Sequence, residues 1–167
     1  GGRGRGSAAR GGADAGGAGI MGAVGGGGER AGAVLGAAKY WPDGTRGVAL
    51  GLAHERFATR SEGLLPRFAE QNARTAIILQ VEDPRGAAAA DEIASMPGVD
   101  MLWLGHNDLS VALGEPGAFD HPDFVTAAQA TVAPPTKHGK SPGPPPAAAS
   151  PAAHCRPPGR SPAAPPG

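Results

Sequence analysis

Apolar runs, each followed by a helix-like stretch, organise the middle of the chain. "TAIILQVE" (75–82) is apolar almost to its final carboxylate, the pattern of a parallel strand covered on both faces. "DPRGAAAADEIASM" comes next, with Asp83 placed as an N-cap and Pro84 at the first helical position. It predicts a helix that Pro97-Gly98 stops. "VDMLWL" (99–104) predicts a second buried strand. "FDHPDFVTAAQATVA" predicts a further helix, with Pro122 in its first turn and Pro134-Pro135 ending it. Upstream, "ERAGAVLGAAKY" (29–40) and "LLPRFAEQNAR" (64–74) are helical in character, and "AGIMGAV" (18–24) predicts a weaker strand. Strands alternating with helices at this spacing predict α/β units joined by right-handed crossovers.

Composition changes the picture at both ends. Sixteen of the 29 glycines lie in residues 1–36 and twelve of the 18 prolines in residues 134–167, so neither end has much to bury. The expected organisation is a flexible lead over 1–17, an α/β domain over 18–133, and a disordered or polyproline-like tail over 134–167. "GGRGRG" has the look of an arginine-glycine nucleic-acid segment, but one short repeat without an aromatic fits a plain lead better. The formal net charge is zero, so no global field recruits nucleic acid or a membrane. The single cysteine, Cys155, rules out an internal disulfide and suits a reducing cytoplasm. No apolar run is long enough for a bilayer, and the start lacks the apolar stretch of a signal peptide.

The chemistry gathers where the two strands end. Glu82 ends one and Asp108 ends the other, so both are expected on the same rim of a parallel sheet, where ligands collect. Neighbouring strands lie about 5 Å apart, so the two carboxylates can share one hard divalent cation. The competing reading is that each merely caps the helix after it.

Three segments in order, "KYWPDGTRGVALGLAHERF" (39–57), "ILQVEDPRG" (78–86) and "GVDMLWLGHNDLSVALGEPGAFDHPDF" (98–124), resemble the HpcH/HpaI aldolase and citrate lyase family of metal-dependent pyruvate aldolases. "GADAGGAGIM" resembles a degraded form of an earlier strand entry of that family. The resemblance implies a partial (β/α)₈ barrel with about three recognisable strand–helix units. It implies Mg²⁺ or Mn²⁺ held by Glu82 and Asp108. Gln80 then stands one inward step before Glu82, and the segment Gly105, His106 and Asn107 binds a keto acid carboxylate. Such an ion acts as a Lewis acid on the enolate left when a carbon–carbon bond breaks. The implied partner is a small keto acid, without nucleic acid or membrane. Intact members are expected to be homo-oligomers in the cytoplasm.

Other residues carry weaker expectations. Arg46, His54 and Arg56 fall in a loop expected at the barrel mouth, touching an acidic substrate, solvent or a second subunit. His121 and His138 read as helix-end residues, and His154 and Cys155 fall in the tail. Residues 1–36 lack the family's histidine and substrate arginine motifs, so no catalytic acid–base residue is assigned. Three readings follow: an aldolase domain, a non-catalytic truncated or frame-shifted remnant of one, or a related α/β lyase acting on another keto or acyl acid.

Overall fold

The computed structural model describes residues 16–143. The expectations for the start of the lead and for the tail from 144 onward lie outside the described residues. Four strands, β1 (Gly19–Ala23), β2 (Ala76–Val81), β3 (Met101–Leu104) and β4 (Ser141–Pro142), form one sheet in that order. All three pairings are parallel. Between them run α1 (Gly28–Ala38), α2 (Leu64–Arg74), α3 (Pro84–Ala88), α4 (Ala90–Ser95), α5 (His106–Ala112) and α6 (Pro122–Lys137).

Burial alternates along β2 and β3. Ile77, Leu79, Val81 and Leu102 join Ile20 in a core completed by Ala31 and Ala38 of α1, Ala87 of α3, and Ile93 and Ala94 of α4. Leu104 packs instead with Leu109 of α5 and Phe124 of α6. The alternate positions Ile78, Gln80, Met101 and Trp103 face away from this core and are half-buried. The expectation of strands covered on both faces therefore holds for one face among the described residues, the face on which the helices pack.

Two boundaries differ from expectation. The helix anticipated over the alanine run is interrupted at Ala89 (φ −92°, ψ 5°). The bend lets α3 lie tight on the strand ends, where a Cβ on Gly86 would stand 3.2 Å from the Val24 carbonyl. It also lets α4 turn to bury Ile93. At the other end, α6 runs through Pro134 and Pro135 to Lys137, and β4 follows inside the stretch assigned to the tail. Prolines cost a helix their N–H bonds, but these two sit in its last turn, where Pro135 is fully buried. The carbonyls there are still used: His138 N–H bonds to Pro134 and Pro135, and Lys140 N–H to Pro135 at 2.8 Å. Lys137 and His138 both reach the Asp91 carboxylate at 3.0 Å and fasten that end to α4.

Candidate active-site rim

Parallel strands point their carboxyl ends to one rim, and the register shows which residues share a row there. Val81 pairs with Leu104 and the Gly105 N–H bonds to the Val81 carbonyl at 2.8 Å, so Gly105 stands beside Glu82. On the other side Ala23 pairs with Gln80, and the Val24 N–H bonds to the Gln80 carbonyl at 2.9 Å, so Gly25 flanks Glu82 as well. A Cβ built on Gly105 would lie 2.7 Å from the Gln80 carboxamide nitrogen and 3.1 Å from the Glu82 Cβ. The missing side chain at 105 is thus the space into which Gln80 and Glu82 are drawn. Gln80, Glu82 and Gly105, three of the residues singled out in the sequence, come together.

His106, Asn107 and Asp108 follow as the first turn of α5, which starts directly after Gly105. Asp108 is therefore not at the strand's end, as its place in the sequence suggested. It is the third residue of a helix and is exposed, as is Asn107, while half-buried His106 sets its ring edge-on to Phe119 at 5.4 Å. The first N–H groups of a helix have no partner within it, so this turn offers donors on the rim. Among the described residues no group of three or more His, Cys, Asp and Glu side chains is disposed to hold a metal ion.

Asp83 behaves as the sequence indicated, its Oδ1 accepting the Gly86 N–H at 2.7 Å as the N-cap of α3. His121 similarly accepts the Asp123 N–H at 3.3 Å at the start of α6. A group the sequence reading passed over is Arg30 in the first turn of α1, whose guanidinium donates to the Gly25 carbonyl. Its signal was a cation just past four consecutive glycines, with Glu29 between.

The segment expected at the mouth is elsewhere. Lys39 donates to the carbonyls of Asn72 and Thr75, the latter directly before β2, and Arg46 N–H bonds back to the Lys39 carbonyl. These contacts put residues 39–46 at the amino ends of the strands, opposite the rim. Burial there lowers the Lys39 pKa, partly offset by Asp100 and Asp43. Arg46 is buried over the Tyr40 ring at 4.5 Å, and His54 is buried with Nε2 at 3.4 Å from the Tyr40 hydroxyl. Arg56 is exposed in a left-handed conformation. The reason is packing: Tyr40 stacks on Phe68 of α2 at 4.7 Å, which ties the segment to the helix flank. A cleft of about 460 Å³ beside it, lined by Glu55, Arg56, Arg60, Glu70 and Arg74, is set among these charges and includes none of the rim residues.

A family model described as HpcH/HpaI aldolase/citrate lyase matches residues 27–140. The chain belongs to this family. It is 36% identical over 115 residues to a 5-keto-4-deoxy-D-glucarate aldolase of Salmonella paratyphi C, across 69% of this chain and 43% of that protein. In structure it is similar to an HpcH/HpaI aldolase/citrate lyase family protein of Burkholderia cenocepacia, with TM-score 0.71 and 31% identity, over 80% of this chain and 52% of that one. An HpcH/HpaI aldolase of Desulfitobacterium hafniense gives TM-score 0.71 at 25% identity, over 82% and 52%. This HpcH/HpaI chain thus spans about half the length of the relatives it matches, and its four-stranded parallel sheet is the part of the barrel-type fold it shares with them. The match carries through α6 and the approach to β4, in line with the helix running past Pro134.

Proposed function

We propose that this chain carries the metal and keto acid site of an aldolase that splits a 4-hydroxy-2-keto acid of the keto-deoxy sugar acid type into pyruvate and an aldehyde. The observation that supports it most directly is the cradle at Gly105, where Gln80 and Glu82 close on a position without a side chain, on the rim where parallel α/β sheets bind ligands. The name of the Salmonella relative, a keto-deoxy-glucarate aldolase, supports the substrate class.

The donors at the rim suit a hard divalent ion: carboxylates at Glu82 and Asp108 and the Gln80 carboxamide drawn in over Gly105. Glu82 and Asp108 would hold Mg²⁺ or Mn²⁺, which when bound supplies Lewis-acid stabilisation of charge on the keto oxygen. The chain's own groups do the rest. Gln80 donates from its carboxamide to the keto acid, and Gly105, having no side chain, leaves that amide its place on the rim. The N–H groups of His106 and Asn107 hold its carboxylate. In cleavage the bond between carbons 3 and 4 breaks, and the C4 hydroxyl gives up its proton to a base as the aldehyde forms. The bonding pair passes to carbon 3, which then takes a proton to give pyruvate.

Calorimetric titration of Mn²⁺ into the wild type, Glu82→Gln and Asp108→Asn tests the assignment. Binding is expected in the wild type and weakened on the order of tenfold or more in each variant. Equal binding by all three proteins would overturn it.

A further inference from the structure

We propose that Arg30 is the specificity-determining cation of this rim, pairing with a second carboxylate on the substrate and so favouring keto diacids over keto monoacids. This rests on the aldolase reading above and adds to it the residue that makes the selection.

The argument begins with the row. Gly25, Glu82 and Gly105 stand side by side on three adjacent strand ends, with neighbouring strands about 5 Å apart. Gly25 to Gly28 bring no side chains to the β1–α1 loop. Two side chains fill the space over the loop: Glu92, whose carboxylate stands where a Gly28 Cβ would be, and Arg30, with Nη1 3.5 Å from where a Gly25 Cβ would be and 3.9 Å from where a Gly26 Cβ would be. Arg30 is exposed, and its hydrogen bond to the Gly25 carbonyl uses one of the five guanidinium N–H donors. No ion pair ties it down among the described residues. Asp83 is its acidic neighbour, with Oδ2 2.9 Å from the same Gly25 position, but the other oxygen of that carboxylate is committed to the Gly86 N–H.

The charges make the cation consequential. Glu82, Asp83 and Asp108 lie on this rim and Glu92 reaches the β1–α1 loop at Gly28, so a ligand with two carboxylates meets four of like sign. A keto acid anchored at Gly105 and Glu82 extends by about 6 Å along five carbons, a little more than one strand spacing. That length brings its far carboxylate to the β1–α1 loop, and a guanidinium fork matches a carboxylate in shape as well as charge.

The test compares 2-oxoglutarate with 2-oxopentanoate, which has the same chain length and one carboxylate. Each is titrated into the Mg²⁺-supplemented wild type, Arg30→Gln, Arg30→Lys and Arg85→Gln, with folding checked by thermal melt. Arg85 is an exposed cation at the start of α3 on the same rim and serves as the charge control. The wild type is expected to bind the diacid about tenfold tighter than the monoacid. Arg30→Gln should lose that preference while keeping its affinity for 2-oxopentanoate, Arg30→Lys should keep part of it, and Arg85→Gln should keep it. A preference that survives in Arg30→Gln, is missing from the wild type, or is lost equally in Arg85→Gln overturns the inference and leaves the aldolase reading standing. Failure of the folded wild type to bind either acid overturns both.

Discussion

Replacing Arg67 by Met would expose how much of this fold hangs on one ion pair. Glu55 ends a 3₁₀ turn at Ala53–Glu55, and its carboxylate is fully enclosed, with a side-chain exposure of 0% against 10% for Arg67. Arg67 grips it with both ends of the guanidinium, Nε to Oε1 at 2.8 Å and Nη2 to Oε2, and the Gly51 N–H adds a third bond at 2.6 Å. Those arginine bonds hold the Glu55 pKa down at about 2, against the opposing effect of burial. The folded value lies below the unfolded one. The wild-type pair therefore contributes fully above about pH 4.5, and that contribution is lost as pH falls through about 2. Met fills similar space without the charge, leaving a buried carboxylate. Breaking such a pair costs about 3–5 kcal/mol, and the lower end, about 3, applies because the Gly51 bond survives. Denaturant unfolding should show that loss at about pH 7, with a melting temperature lower by on the order of 10 °C. Burial without a cation then raises the Glu55 pKa, so the deficit should narrow toward about pH 4. Glu55→Gln/Arg67→Met, with no buried charge, should recover part of the loss. A deficit below about 1 kcal/mol, the worth of an exposed pair, or one that does not change with pH, would refute the reasoning.

Two further outcomes follow from the rim. Asp83→Ala removes the cap on α3 and should cost about 1 kcal/mol by denaturant unfolding, while Asp83→Asn, which caps equally well, should restore most of it; equal stability of Ala and Asn would count against the cap. Gly105→Ala places a methyl 2.7 Å from the Gln80 amide, which can swing aside, so stability should fall by no more than about 1–3 kcal/mol. Pyruvate binding in the presence of Mn²⁺ should weaken on the order of tenfold, and unchanged binding would remove Gly105 from the site.

The parts of the fold that repeat locally could be read from the chain. The helix over 64–74 matches α2 residue for residue, because Phe68, Gln71 and Asn72 recur on one face at helical spacing. Three of the four strands, β1, β2 and β3, were placed within two residues by their apolar runs, and β4 was not anticipated. What escaped is what depends on distant partners. Nothing near Lys39 in sequence announces Asn72 and Thr75, and nothing near Glu55 announces Arg67, so Arg46, which bonds back to Lys39, was expected at the wrong end of the sheet. Pro134 and Pro135 read as a stop because their local cost is plain. The burial of Pro135 and the anchor at Asp91, which offset that cost, are tertiary.

The site is legible for a different reason: it is where the pattern stops serving packing. Along β2 the positions turned away from the helices are Ala76, Ile78 and Gln80, beside Met101 and Trp103 on β3. Two large apolar neighbours would suit another aliphatic residue at 80. An amide stands there instead, next to a strand-end position, Gly105, that leaves it room. A carboxylate follows at 82. Burial gains nothing from this sequence of choices, since a half-buried amide and acid both ask for polar partners. A ligand with oxygen atoms would supply those partners, which is why the proposed site rests on three residues that pack poorly by themselves and not on the residues that pack well.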